Sequence, residues 1–108
     1  MLEKINIQEK MAELDGPWKP IDIVNINDQV IRLALFKGEY HWHKHEREDE
    51  LFLVYKGKIT IEVKNKEEIS LQEGECIVIP KGMEHKPKSE GKSYVLLFEP
   101  KKLKSKGD

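Results

Sequence analysis

From Ile21 onward the apolar residues fall two apart and never return to a helical spacing. A period of two puts alternate side chains on opposite sides of an extended chain, so each such run reads as a β-strand. The runs are 21–26, 29–37, 50–56, 58–64, 68–71, 76–79 and 92–99. In the second, Ile31, Leu33 and Leu35 share a face; in the fourth, Ile59, Ile61 and Val63 alternate with Thr60, Glu62 and Lys64. Between the runs stand turn formers: Asn27-Asp28, Gly38-Glu39, Gly57, Asn65-Lys66-Glu67, Glu73-Gly74 and Pro80-Lys81-Gly82. Seven or eight short strands with such punctuation predict an all-β sandwich or barrel, whose closure removes the exposed edges that so many strands would create.

The chain before residue 21 differs. Asn6 and Glu9 have the spacing of a capping box, and Ile7, Met11 and Leu14 form one apolar stripe. Asp15-Gly16-Pro17 ends it, with Gly16 as a left-handed cap and Pro17 barring continuation. The prediction is one helix of roughly eight residues. With 108 residues there is room for a single domain: a helix and extended arm over 1–20, a barrel over 21–100, and a mobile lysine-rich tail over 101–108.

Charge and composition narrow the partners. The 19 Lys+Arg and 20 Asp+Glu give a net charge of −1, without the concentrated positive face that nucleic acid needs. The longest unbroken apolar runs are five residues, as at 51–55, far below the roughly 20 of a spanning helix, so no membrane partner is expected. The N-terminus lacks the pattern of a signal peptide, and the single Cys76 fits a reducing compartment; the expected location is cytoplasmic. Cys76 lies in an apolar run and reads as an inert buried thiol. Trp18, Trp42, Phe52, Tyr55, Tyr94 and Phe98 read as core or interface positions.

The chemistry concentrates around three histidines, His41, His43 and His45, whose shared parity would project all three imidazoles to one side of a strand. Glu50 heads the next apolar strand, on the face of Phe52 and Val54. A carboxylate buried there costs several kcal/mol, about 3 or more, unless a partner meets it. The fourth histidine, His85, follows Gly74 and Pro80-Lys81-Gly82. Asp49 has the opposite parity to Glu50 and reads as a surface or hairpin contact.

These residues resemble a known pattern. Gly38 through His45, then Glu50 and Gly57, resemble the first motif of the cupin superfamily, and Gly74 through His85 resembles the second. Trp42-His43-Lys44-His45, Asp49-Glu50-Leu51-Phe52 and Phe98-Glu99-Pro100 are similar to small single-domain isomerase-like cupins, of the kind called mannose-6-phosphate isomerase-like. The resemblance implies a double-stranded β-helix, the cupin jelly-roll barrel, with a divalent metal held by His43, His45, Glu50 and His85. Three imidazoles and a carboxylate suit Mn, Fe, Co, Ni or Zn, and four protein ligands leave an octahedral ion two positions for water or substrate. His41 does not match a ligand position and reads as a pocket residue, a supporting base or a rim histidine.

Two functions are compatible with this reading. One is a metal-dependent enzyme, an isomerase or dioxygenase, acting on a small carbonyl, sugar or sugar-phosphate compound; Lys44, Lys81 and Lys86 flank the histidines. The other is a non-catalytic module that senses a metal or small ligand. A homodimer is expected in either case, with Trp18, Ile21 and Ile23 as candidate contacts.

Overall fold

The computed structural model describes residues 2–103 and Gly107. Seven strands occur among them: β1 Ile21–Ile26, β2 Gln29–Glu39, β3 Glu50–Lys56, β4 Lys58–Val63, β5 Ile69–Gln72, β6 Cys76–Ile79 and β7 His85–Pro100. All pairings between these strands are antiparallel. The main sheet runs β1-β2-β7-β3-β6, while β4 pairs with both β5 and β7. The fold is the expected cupin-type β-barrel with a short helical segment in front.

The barrel depends on β7. Its first residues, His85 to Lys88, pair with β4, and its later residues pair with β2 on one side and β3 on the other. One strand of 16 residues thus joins the two halves. The sequence reading began this strand at residue 92, because Pro87 and Gly91 look like breakers. Pro87 is instead accommodated opposite Ile61 within the ladder.

The alternation sorts residues to two cores. Ala34, Phe36, Phe52, Val54, Val95 and Leu97 fill the barrel interior together with Ile59, Ile61 and Val63 of β4. Each of these side chains larger than alanine contributes roughly 1.5–3 kcal/mol on leaving water. Leu33 and Leu96 point outward and are covered by Ile7, Met11 and Leu14, the predicted helical stripe. The helix itself is shorter and mixed: α1 spans Ile7–Lys10 and continues as a 3₁₀ turn over Met11–Glu13. Asn6 caps it as expected, its Oδ1 accepting from Glu9 N–H at 2.9 Å. Gly16 is not its left-handed cap, because the helix ends with Leu14 already extended.

Three further expectations change. Cys76 is exposed: β6 lies at the edge of the main sheet, so a continuous apolar run there is buried on one side only. Ile21 and Ile23 pack with the N-terminal segment in the outer core, and Trp18 packs against the barrel interior. Outside the helix cover, a different apolar row crosses the five-stranded sheet. Val24, Ile31, Phe98, Leu51 and Val78 are successive register partners, with Val24, Phe98 and Val78 exposed. Of the tail, Lys101 to Leu103 are tied down: Arg32 donates to the Lys101 and Leu103 carbonyls, and Leu103 is buried. Residues 104–106 and 108 lie outside the described residues.

Candidate metal centre

Two segments that are distant in sequence are sewn together at one end of the barrel. After β2 the chain from Tyr40 to Asp49 forms no strand, only an isolated bridge at His43 and a bend at Glu46 and Arg47, so the shared parity of three histidines does not hold as a strand argument. Its alignment comes from β7. Tyr40 N–H donates to Pro87 C=O at 3.0 Å, and His43 and His85 exchange both backbone hydrogen bonds, at 3.0 and 2.9 Å. The turn after β6 holds the other end: Gly82 N–H donates to His45 C=O at 2.7 Å, and Lys81 N–H donates to Asp49 Oδ1 at 2.9 Å. Asp49 is thus a hairpin contact, as its parity suggested. Glu50 comes from β3, which is separated from β2 by β7 and is not its neighbour.

This folding brings His43, His45, Glu50 and His85 together. Ligand atoms of the first three lie within 4.8 Å of one another. His45 Nε2 is 3.2 Å from Glu50 Oε1, and His85 Nε2 is 3.9 Å from the same oxygen. The rings of His43 and His85 are 4.3 Å apart, while His85 stands farther from His45, at 6.2 Å. His45, Glu50 and His85 are all at most 2% exposed.

The tautomers follow from the backbone. His43 Nδ1 faces the His41 carbonyl at 3.1 Å, and His85 Nδ1 faces the Met83 carbonyl at 2.9 Å. A carbonyl only accepts, so each Nδ1 carries the proton and each Nε2 keeps its lone pair. His85 Nε2 and Glu50 Oε1 are buried with no hydrogen bond to satisfy them, an expensive arrangement without a further partner. His41 serves through its main chain; the residue is exposed, and its ring lies tilted against Tyr40, 4.0 Å between centroids.

Electrostatics agree with the geometry. Burial pushes His43 down to about 4, against the pull of the His41 carbonyl, and His85 and His45 lower it further. Burial likewise lowers His85. Both imidazoles are therefore neutral, the form that binds metals. Burial raises Glu50, only partly opposed by Glu99 and Arg32. A divalent ion would reverse that rise by favouring the carboxylate. The donor set, the orphaned atoms and the neutral imidazoles fit a transition metal ion of the Mn–Zn series.

Two residues to which the sequence reading gave no role at the site, Glu99 and Arg32, support this centre. The β3–β7 register pairs Leu51 with Phe98, which sets Glu50 and Glu99 opposite each other one step further on. Glu99 is buried, is pushed up to about 9 by burial and by Glu50, and is bonded by the Arg32 guanidinium. Arg32 also holds Asp22 at 2.8 Å. The signal was present in the sequence: Glu99 shares the inward parity of Val95 and Leu97, the same clue that singled out Glu50.

A cavity opens beside the metal centre, lined by His43 and Glu50 together with Trp18, Phe36, Tyr40 and Phe52. Burial and the Glu50 charge keep the Tyr40 phenol protonated. Lys44, Lys81 and Lys86 do not line it. Lys44 pairs with Glu46, and Lys86 pairs with Glu39 and Glu62 and lies over the Trp42 ring.

Comparison with known proteins agrees with this architecture. The cupin domain family matches residues 33–99. The uncharacterized protein YdbB of Bacillus subtilis (strain 168) is 40% identical over 83 residues, 77% of this chain and 74% of that protein. The crystal structure of a cupin-2 domain containing protein from Shewanella frigidimarina superposes with a TM-score of 0.85 at 38% identity, covering 89% of this chain and 93% of that one. Hydroquinone 1,2-dioxygenase PnpCD, solved in complex with Fe3+, shares the fold at a TM-score of 0.83 and 16% identity, covering 92% of this chain and 32% of that one. The matched span runs from the middle of β2 to Glu99 and so contains all four converging side chains and both motifs: the chain belongs to the cupin family.

Proposed function

We propose that this protein is a metal-dependent cupin that binds a small organic molecule beside a divalent transition ion and acts on it. The observation that carries the reading is the convergence of His43, His45, Glu50 and His85 in a buried pocket, with two imidazoles locked in the ligating tautomer. When bound, such an ion supplies Lewis-acid polarisation of a substrate oxygen. The chain's own part is to orient His43 and His85 through the His41 and Met83 carbonyls and to exclude water with Phe36, Phe52 and Trp18. Tyr40 keeps a phenolic proton available as a donor at the cavity wall. The open cavity next to the ligands favours an acting site over a closed structural one.

We place the protein in the cytoplasm, on the strength of its single cysteine; no helix among the described residues is long and apolar enough to cross a membrane. We also assign it a homodimer. The contact moves from Trp18, Ile21 and Ile23 to the exposed row of Val24, Phe98 and Val78, because a self-complementary apolar sheet face suits two identical copies.

Metal analysis tests the central reading. Protein purified without chelator should carry close to one transition ion per chain, and the His43→Ala/His85→Ala variant should carry little. Equal metal content in the two would remove the assignment.

A further inference from the structure

The outer side of the barrel carries a second cavity that the metal reading does not use. It has a volume of about 640 Å³, within the roughly 300–1,000 Å³ of small-molecule pockets. None of the four converging side chains lines it, and it shares no residue with the cavity beside Glu50. Strand alternation explains its polarity. Ile59 and Ile61 of β4 point into the barrel, so Lys58 and Thr60 point out. Thr60 pairs with Ser70 of β5 on one side and Lys88 of β7 on the other, and both of these line the cleft as well. No aromatic or large apolar side chain lines it, so a ligand there is held by polar groups.

A break in the β2–β7 ladder builds one wall. The register passes from Phe36–Ser93 to Gly38–Ser89, so β2 contributes one residue where β7 contributes Glu90, Gly91 and Lys92. Bulges of this kind re-aim side chains and recur beside functional sites. The bulge is anchored from below. Ser89 and Ser93 are buried with their hydroxyls 2.7 Å apart. Ser93 Oγ accepts from Lys58 N–H at 3.0 Å and donates to Lys58 C=O at 2.9 Å, while Ser89 Oγ lies 2.7 Å from the Gly91 carbonyl. The wall is thus fixed before a ligand arrives, which lowers the ordering cost of binding.

The charges in the cleft divide into engaged and unengaged. Lys88 pairs with Glu68 at 3.3 Å and Glu62 at 3.7 Å, and Glu39 pairs with Lys86 at 2.6 Å. Lys58, Lys92 and Glu90 have no ion-pair partner among the described residues. Thr60 Oγ1 and Ser70 Oγ lie 3.4 Å apart, a long contact that leaves both hydroxyls able to bond elsewhere. Two unpaired ammonium groups favour an anion, and a carboxylate beside two hydroxyls favours groups that both donate and accept. We propose that this outer cleft is a second binding site, which takes a small hydroxylated organic anion. Lys58 and Lys92 meet its carboxylate or phosphate, and Glu90, Thr60 and Ser70 meet its hydroxyls. The site is separate from the metal centre and does not depend on it.

Calorimetry on the full-length protein tests this with gluconate for the carboxylate, myo-inositol 1-phosphate for the phosphate and myo-inositol as the neutral control. At least one of the two anions should bind once per chain with a Kd below about 1 mM, and about tenfold or more tighter than myo-inositol. The tighter of the two identifies the anionic group. Lys58→Gln/Lys92→Gln should weaken that binding about tenfold at unchanged Tm, since both residues are exposed. Lys4→Gln/Lys19→Gln removes the same charge outside the cleft lining and should leave the affinity unchanged. Chelator-treated protein should bind as the untreated protein does. No binding of either anion below about 10 mM, or equal affinity for myo-inositol, overturns the proposal. So does undiminished affinity in Lys58→Gln/Lys92→Gln, or an equal loss in Lys4→Gln/Lys19→Gln. Binding that disappears on chelation, or in His43→Ala/His85→Ala, moves the ligand to the metal centre and overturns the outer site while leaving the metal reading in place.

Discussion

Glu50 and Glu99 stand one step beyond the Leu51–Phe98 pair of the β3–β7 ladder, both buried, with Arg32 bonded to Glu99. Two carboxylates so placed cannot both stay ionised in an apolar interior, so the metal-free pair holds a proton between them. A cation bound at Glu50 would keep that carboxylate charged and leave the proton on Glu99. The metal ligand is thereby linked through Glu99 and Arg32 to β1 by Asp22 and to the C-terminal segment by the Lys101 and Leu103 carbonyls.

The first prediction concerns the stability of metal-free protein against pH. Folded Glu99 holds its proton up to about 9, whereas its ordinary value is 4.5. Between these the folded state binds more protons, so stability falls as pH rises. His43 acts oppositely: its folded value is about 4 against 6.5, so its contribution is lost as pH falls through that interval. The two offset each other between 4.5 and 6.5, which leaves a net loss from 6.5 to 9. Melting curves of chelator-treated protein should show a lower Tm at pH 9 than at pH 6.5. Glu99→Gln should shrink that difference, and an undiminished drop in the variant would assign the titration elsewhere.

Glu50→Gln should separate function from stability. The amide keeps the shape and loses the charge, so metal affinity should fall about tenfold or more. Metal-free protein should melt at the same or a higher temperature, since burial already disfavours the ionised form. Competitive metal titration and thermal melts of the two proteins check both halves. Undiminished affinity would reduce the centre to three histidines.

Gly57 links β3 to β4 at φ +95°, and a Cβ there would lie 2.5 Å from Ser93 Oγ and 2.9 Å from Ser93 Cα. Ser93 is buried and binds both the Lys58 N–H and C=O through its hydroxyl, so it has little freedom to retreat. Gly57→Ala should therefore cost about 2–4 kcal/mol from strain and displacement together. Urea unfolding would read this as a lower midpoint with an unchanged slope.

The exposed row offers a separate test. Phe98 is 40% exposed at the centre of the five-stranded sheet face, between Ile31 and Leu51. Phe98→Glu places a charge in the middle of the assigned dimer contact, and leaves the barrel interior untouched because the side chain points outward. Sedimentation should show a dimer for the native chain at micromolar concentration and a monomer for the variant. A native monomer would exclude this contact.

Much of the fold was legible in the sequence because parity and turn chemistry are local. Alternation placed six of the seven strands within two residues of their observed bounds, and Asn6 announced the start of the helix. The four converging side chains were legible for another reason: their spacing resembles the cupin motifs. The length of β7 was hidden, because Pro87 and Gly91 break an isolated pattern but are tolerated where the barrel supplies partners. The exposure of Cys76 was hidden too, since an apolar run does not reveal that its strand lies at an edge.

What the sequence by itself determined, then, is which side of the chain each residue occupies, and so that Glu50 faces inward with apolar neighbours. The tertiary structure alone decided what each inward group meets. Register sets Glu99 against Glu50, and backbone bonds between His43 and His85 align imidazoles that no strand parity would align. A left-handed Trp18, secured to β2, builds the cavity wall. The reason is physical: alternation is a property of consecutive bonds, whereas contact across a barrel depends on register and closure, which form only when distant segments pair.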